Sequence, residues 1–128
     1  MREGRAGRSP AQWFCLIGGA ALIVRGALGV AFDPSFGTPG EGWHQLIHFS
    51  SGVILLASSG RATWAVATAL AFGTVYAGVA VVGILNGQDV VGLIGVQASD
   101  NTIHTLLALG SLGAGAASLR RGTEPAPG

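Results

Sequence analysis

Two pairs of ionisable residues spaced four apart, His44 with His48 and Asp100 with His104, hold all three histidines of this 128-residue chain. A spacing of four places both members of a pair on one helix face, one turn apart. The first pair opens an apolar stretch in Gly42-Trp43-His44-Gln45-Leu46-Ile47-His48, the second in Ser99-Asp100-Asn101-Thr102-Ile103-His104. Imidazoles with a carboxylate suit Zn²⁺ and similar ions, so His44, His48, His104 and Asp100 form a candidate metal set. One His from each stretch could also ligate a b-type haem axially. A short proton or ion relay is the third chemistry open to these groups. Cys15 is the single cysteine and no Cys-x-x-Cys-His occurs, which excludes covalent haem attachment and a cysteine-based metal cluster. The residues alone favour neither haem b nor a transition metal.

These side chains must be positioned by apolar elements. Hydrophobic residues make up 49% and charged residues 10% of the chain, and the mean hydropathy is +0.54. A soluble domain carries about 25% charged residues, so this chain lacks the charge to cover a water-exposed surface. Most of the 22 glycines fall inside apolar runs, where membrane helices use them for close packing. Seven Arg and no Lys form no basic stripe, which argues against a nucleic-acid partner. The expected surroundings are a lipid bilayer and, as a further expectation, a homo-oligomer or a larger membrane complex.

A hydrocarbon core of about 30 Å needs roughly 17–25 helical residues. Four segments meet that length, at about 12–32, 42–58, 63–85 and 101–119. The expected fold is all-α, an integral membrane four-helix bundle. A cytoplasmic segment, 1–11, precedes the four-span domain, 12–119, and a disordered cytoplasmic tail, 120–128, follows it. Arg2, Arg5, Arg8, Arg61, Arg120 and Arg121 sit at the termini and the second-to-third turn, whereas the other two loops hold Asp33, Glu41, Asp89 and Asp100 and no base. The positive-inside rule then places both termini of a multi-pass inner-membrane protein in the cytoplasm. The tight turn around Gly60 should make spans two and three antiparallel neighbours. The apolar patch 90–96 in the last outer loop is expected to pack on the helices.

Matching His44–His48 to Asp100–His104, and Gly19 and Gly29 to Gly73 and Gly83, suggests two repeated helix hairpins. That symmetry would set His48 against His104 and His44 against Asp100. The expected inward stripes are Gly18, Arg25 and Gly29 in span one; His44, His48, Ser51 and Gly52 in span two; Gly73, Tyr76, Ala80 and Gly83 in span three; and Asp100, His104, Ala108, Ser111 and Gly115 in span four. Arg25, about 10 Å below the outer end of its helix, needs an acceptor. Asp100 is the first candidate and Asp33 the second. Tyr76 and Asn101 are supporting residues of the same outer-half cluster. A structural alternative exists for each group: Asp100 as a helix cap, Arg25 snorkelling outward.

The motifs Gly42-Trp43-His44-Gln45-Leu46-Ile47-His48 and Ala98-Ser99-Asp100-Asn101-Thr102-Ile103-His104-Thr105-Leu106-Leu107 resemble an uncharacterised bacterial membrane family, domain of unknown function 4383. The resemblance covers roughly residues 12–118 and implies four spans, with a histidine motif opening the second and Asp-Asn-x-x-His opening the fourth. It implies importance for His44, His48, Asp100 and His104 and carries no activity with it. The leading reading is a small structural or interaction/accessory membrane protein whose polar cluster fixes helix register. The alternative is a haem- or metal-binding membrane protein using the His/Asp cluster. No nucleophile–base pair, phosphate loop or carboxylate dyad points to an enzyme acting alone.

Overall fold

The computed structural model describes residues 7–38, 40–87, 89–92 and 94–123. Four helices account for most of them: α1 (Pro10–Phe32), α2 (Glu41–Ser58), α3 (Ala62–Leu85) and α4 (Ala98–Thr123), with two short strands, β1 (Asp89–Val90) and β2 (Ile94–Gly95), between α3 and α4. Residues 1–6 of the expected N-terminal segment and 124–128 of the expected tail lie outside the described residues. Residues 120–123, expected in the tail, continue α4 as helix.

α1 begins with a capping box. Ser9 Oγ accepts from the Gln12 N–H at 3.3 Å and Gln12 Oε1 accepts from the Ser9 N–H at 3.1 Å, satisfying two otherwise orphaned donors. Gln12 Nε2 also donates to the Ser59 carbonyl at 3.1 Å, and the Ala11 N–H donates to Ser118 Oγ at 2.9 Å. Cys15 Sγ contacts the Ala65 carbonyl at 3.6 Å. These contacts gather the start of α1, the end of α2, the start of α3 and the end of α4 at one end of the bundle. The helices therefore run alternately up and down.

The bundle is apolar outside and small or polar within. Phe32, Leu85, Ile17 and Leu106 are largely exposed, while Ala65, Ala69, Gly73, Ser111 and Gly115 are buried. That inversion suits a lipid surround, where close backbone packing rather than apolar burial holds helices together. α1, α3 and α4 are long and apolar enough to cross a membrane, with hydropathies of 2.0, 1.9 and 1.3 over their best windows. α2 is not among them. Its 18 residues carry His44, Gln45 and His48, and it buries them inside the bundle.

Packing is closest within two pairs, α1 with α2 and α3 with α4. Glycines explain the first. A Cβ on Gly26 would lie 2.5 Å from the Phe49 amide nitrogen and 2.6 Å from the Gln45 carbonyl, and one on Gly52 would lie 2.7 Å from the Gly19 carbonyl. In the second pair, Ser111 Oγ donates to the Ala69 carbonyl at 2.6 Å. α2 and α3 are antiparallel, as the short turn between them requires, but their contact is looser than expected. A groove of about 410 Å³ lined by Leu55, Phe72 and Tyr76 separates them. α2 and α4 lie on a diagonal and their backbones do not approach closely.

The inward face of α1 also differs from expectation. Cys15, Gly19, Leu22 and Gly26 are buried, whereas Arg25 is exposed and Gly18 half-buried. The stripes of α2, α3 and α4 are those expected, apart from half-buried Ser51 and Asp100. The loop after α3 packs Val90, Ile94 and Val96 against Val79 and Val82. Its β1–β2 hairpin turns through Val91 and Gly92, both left-handed at φ 54° and 69°, and β2 reaches across to α2.

Two glycine substitutions test this packing. Gly26→Ala should lower stability in detergent by about 1–3 kcal/mol, the usual cost of overpacking. Gly78→Ala meets nothing within 4 Å and should be neutral or stabilising by up to about 1 kcal/mol. Equal effects in thermal unfolding would contradict the α1–α2 contact.

Candidate metal centre between α2 and α4

The three histidines fill the diagonal space that the backbones of α2 and α4 leave open. His44 and His48 project from one face of α2, a turn apart, and His104 comes from α4. All three are at least 96% buried. His44 Nε2 lies 3.4 Å from His104 Nε2. Ring centroids are 4.5 Å apart for His44 and His48, 5.5 Å for His44 and His104, and 5.8 Å for His48 and His104. One nitrogen from each ring falls within 4.8 Å of the other two.

Such a gathering is expensive unless the nitrogens have partners, because a buried unpaired polar group costs about 1–3 kcal/mol. Among the described residues, both nitrogens of His48, Nδ1 of His44 and Nδ1 of His104 have no hydrogen-bond partner. The closest pair has the spacing of two ligands on one metal ion. Two nitrogens each about 2.0–2.1 Å from a tetrahedral Zn²⁺ lie about 3.3–3.4 Å apart, which is the His44–His104 separation. A haem fits poorly. Its macrocycle must pass between two axial imidazoles, and His44 is wedged beside the His48–His104 pair.

The wall of the site comes from α3. Tyr76 is buried, stacks on Phe72 at 4.1 Å and meets the His104 ring edge-on at 5.4 Å. Asn101 is buried one turn above His104, its amide against Gly83 where a Cβ would not fit.

Two expected partners are placed elsewhere. Asp100 does not join the imidazoles: its Oδ2 accepts the Gln97 N–H at 2.8 Å at the first turn of α4, a capping role. His44 therefore faces His104, not Asp100 as the two-hairpin symmetry suggested. Arg25 forms no ion pair with Asp100. It is exposed on α1 and lines a cleft with Asp33, Glu41 and Gln45. Sequence reasoning missed Glu41 as a neighbour of the site. Its Oε1 lies 3.4 Å from His44 Nδ1 and accepts a hydrogen bond from Gln45 Nε2. An acid three residues before His44 was the available signal.

Replacing His48 by an apolar side chain of similar size removes two unpartnered nitrogens at once. In the presence of a chelator, His48→Leu should raise stability by about 1–2 kcal/mol. A lower unfolding temperature than wild type under those conditions would contradict the absence of partners for His48.

No curated protein and no solved structure matches the chain. A family model described as Domain of unknown function (DUF4383) matches residues 35–117. That range takes in α2, α3 and most of α4, with His44, His48, Tyr76 and His104, and leaves α1 outside. The chain belongs to this family, domain of unknown function 4383.

Proposed function

We propose that this membrane protein binds one divalent transition-metal ion through His44, His48 and His104, in the outer half of a bundle whose four helices all cross the inner membrane. The observation that carries the reading is the convergence of three buried imidazoles, with both His48 nitrogens unpartnered among the described residues and two Nε2 atoms at a tetrahedral ligand spacing. Three neutral nitrogens with the remaining position open are a borderline-metal donor set. Buried Tyr76 lies beside it. The ion would tie α2 to α4 where their backbones do not meet, so binding and bundle stability are linked.

Purified protein loaded with Zn²⁺ and desalted should carry close to one metal per chain by elemental analysis, with a raised unfolding temperature. His48→Ala and His104→Ala should lose both. A metal-free wild type that stays equally stable would instead support a cluster that only fixes helix register, the reading of a structural or accessory protein. A stoichiometric Soret band would support haem.

The proposed orientation rests on charge. Arg8, Arg61, Arg120 and Arg121 cluster at the end of the bundle opposite the histidines, where Asp33, Glu41 and Asp100 lie. In a Cys15→Ser background, Ser35→Cys should react with an impermeant thiol reagent on intact cells, and Gly60→Cys should not. The reverse pattern would put the site on the cytoplasmic side.

A further inference from the structure

Three neutral imidazoles bring no negative charge to a buried divalent cation, and an uncompensated charge in a low-dielectric interior is costly. Two carboxylates stand near the site. Asp100 is occupied by the Gln97 N–H. Glu41 is half-buried, and its Oε1 lies 3.4 Å from His44 Nδ1, in ion-pair range but without a closed hydrogen bond. Gln45 Nε2 donates to the same oxygen and holds the carboxylate over His44. Gln45 is itself fully buried and rests on Gly29, where a Cβ would collide with its amide.

Glu41 also faces outward. It lines a cleft of about 390 Å³ between the ends of α1 and α2, together with Arg25, Gly29, Asp33 and Gln45. The cleft thus carries two carboxylates, Asp33 and Glu41, the second of which is 3.4 Å from His44 Nδ1. Arg25 supplies the one base on its wall.

We propose that Glu41 is the positioning and charge-compensating residue of the trihistidine site, and that the Arg25–Asp33–Glu41 cleft is the path by which a divalent transition cation reaches it. The inference rests on the metal-binding reading above. On metal loading Glu41 closes on the His44 Nδ1–H, which fixes the tautomer that leaves Nε2 free as the ligand. Asp33 and Glu41 draw the cation in, and Arg25 opposes it.

The test uses the full chain in detergent micelles with Co²⁺, whose visible ligand-field absorption reports tetrahedral nitrogen coordination, and Zn²⁺ in competition. Glu41→Gln should still bind one Co²⁺ per chain, with affinity lowered about 10–100-fold, as for loss of other second-layer partners, and with slower loading. Glu41→Asp should recover part of both, and Arg25→Gln should load faster than wild type. The metal-free unfolding temperature of Glu41→Gln should match wild type, which separates this role from a structural one. If Glu41→Gln binds and loads like wild type, or if its metal-free form is destabilised enough to account for the loss, the role of Glu41 is refuted while the trihistidine site stands. If wild type binds no Co²⁺, or His44→Ala binds it equally well, the underlying metal reading itself fails.

Discussion

The contact on which the centre of this molecule depends is the meeting of His44 and His104 across the diagonal of the bundle. α2 and α4 do not touch through their backbones. They touch through imidazoles, with Nε2 to Nε2 at 3.4 Å and His48 closing the triangle. In a membrane interior such a polar filling is costly where an apolar one would serve. Four of the six ring nitrogens have no hydrogen-bond partner among the described residues. Both nitrogens of His48 are among them, beside two Nε2 atoms that stand at the separation of two ligands on one metal ion. The rest of the structure can be understood as what holds those rings at ligand distance.

Two rigid helix pairs do that holding. Gly19, Gly26 and Gly52 bring α1 and α2 into backbone contact, and Ser111 and Gly115 seat α4 on α3. The gathered contacts of Ser9, Gln12, Ser59 and Ser118 then fasten both pairs at the end away from the histidines. The other end is freer. There α2 meets α4 only through side chains, and the loop that packs Val90, Ile94 and Val96 on α3 reaches back to α2. A metal between the histidines would supply the tie that this end lacks, which is why binding and stability are expected to move together.

Much of this was legible in the residues. Helix number, the approximate boundaries and the buried stripes of α2, α3 and α4 follow from polar residues recurring at steps of three and four among apolar ones. The inward face of α1 did not follow. Its run Gly18-Gly19-Ala20-Ala21 is small throughout and its neighbours are apolar all round, so periodicity leaves the rotation undetermined. Close approach to Phe49 and Gln45 selects Gly19 and Gly26 and turns Arg25 outward. The symmetry argument paired His44 with Asp100 because it treated the two motifs as equivalent. They are not: Asp100 sits in the first turn of α4 and is used as a cap, whereas in α2 the acid of the first turn is Glu41 and both histidines turn inward. Length marks α2 as a span but composition does not, since the residues that make it too polar to stand alone in lipid are those it hides in the bundle.

The central claim is that His44, His48 and His104 act on one ion. X-ray absorption at the zinc edge of Zn²⁺-loaded protein measures this directly. The account predicts a shell of three imidazole nitrogens at about 2.0–2.1 Å with a single water oxygen completing four-coordination, reduced by one imidazole in His48→Ala. An oxygen-only shell, or an imidazole count that does not change in His48→Ala, would contradict it.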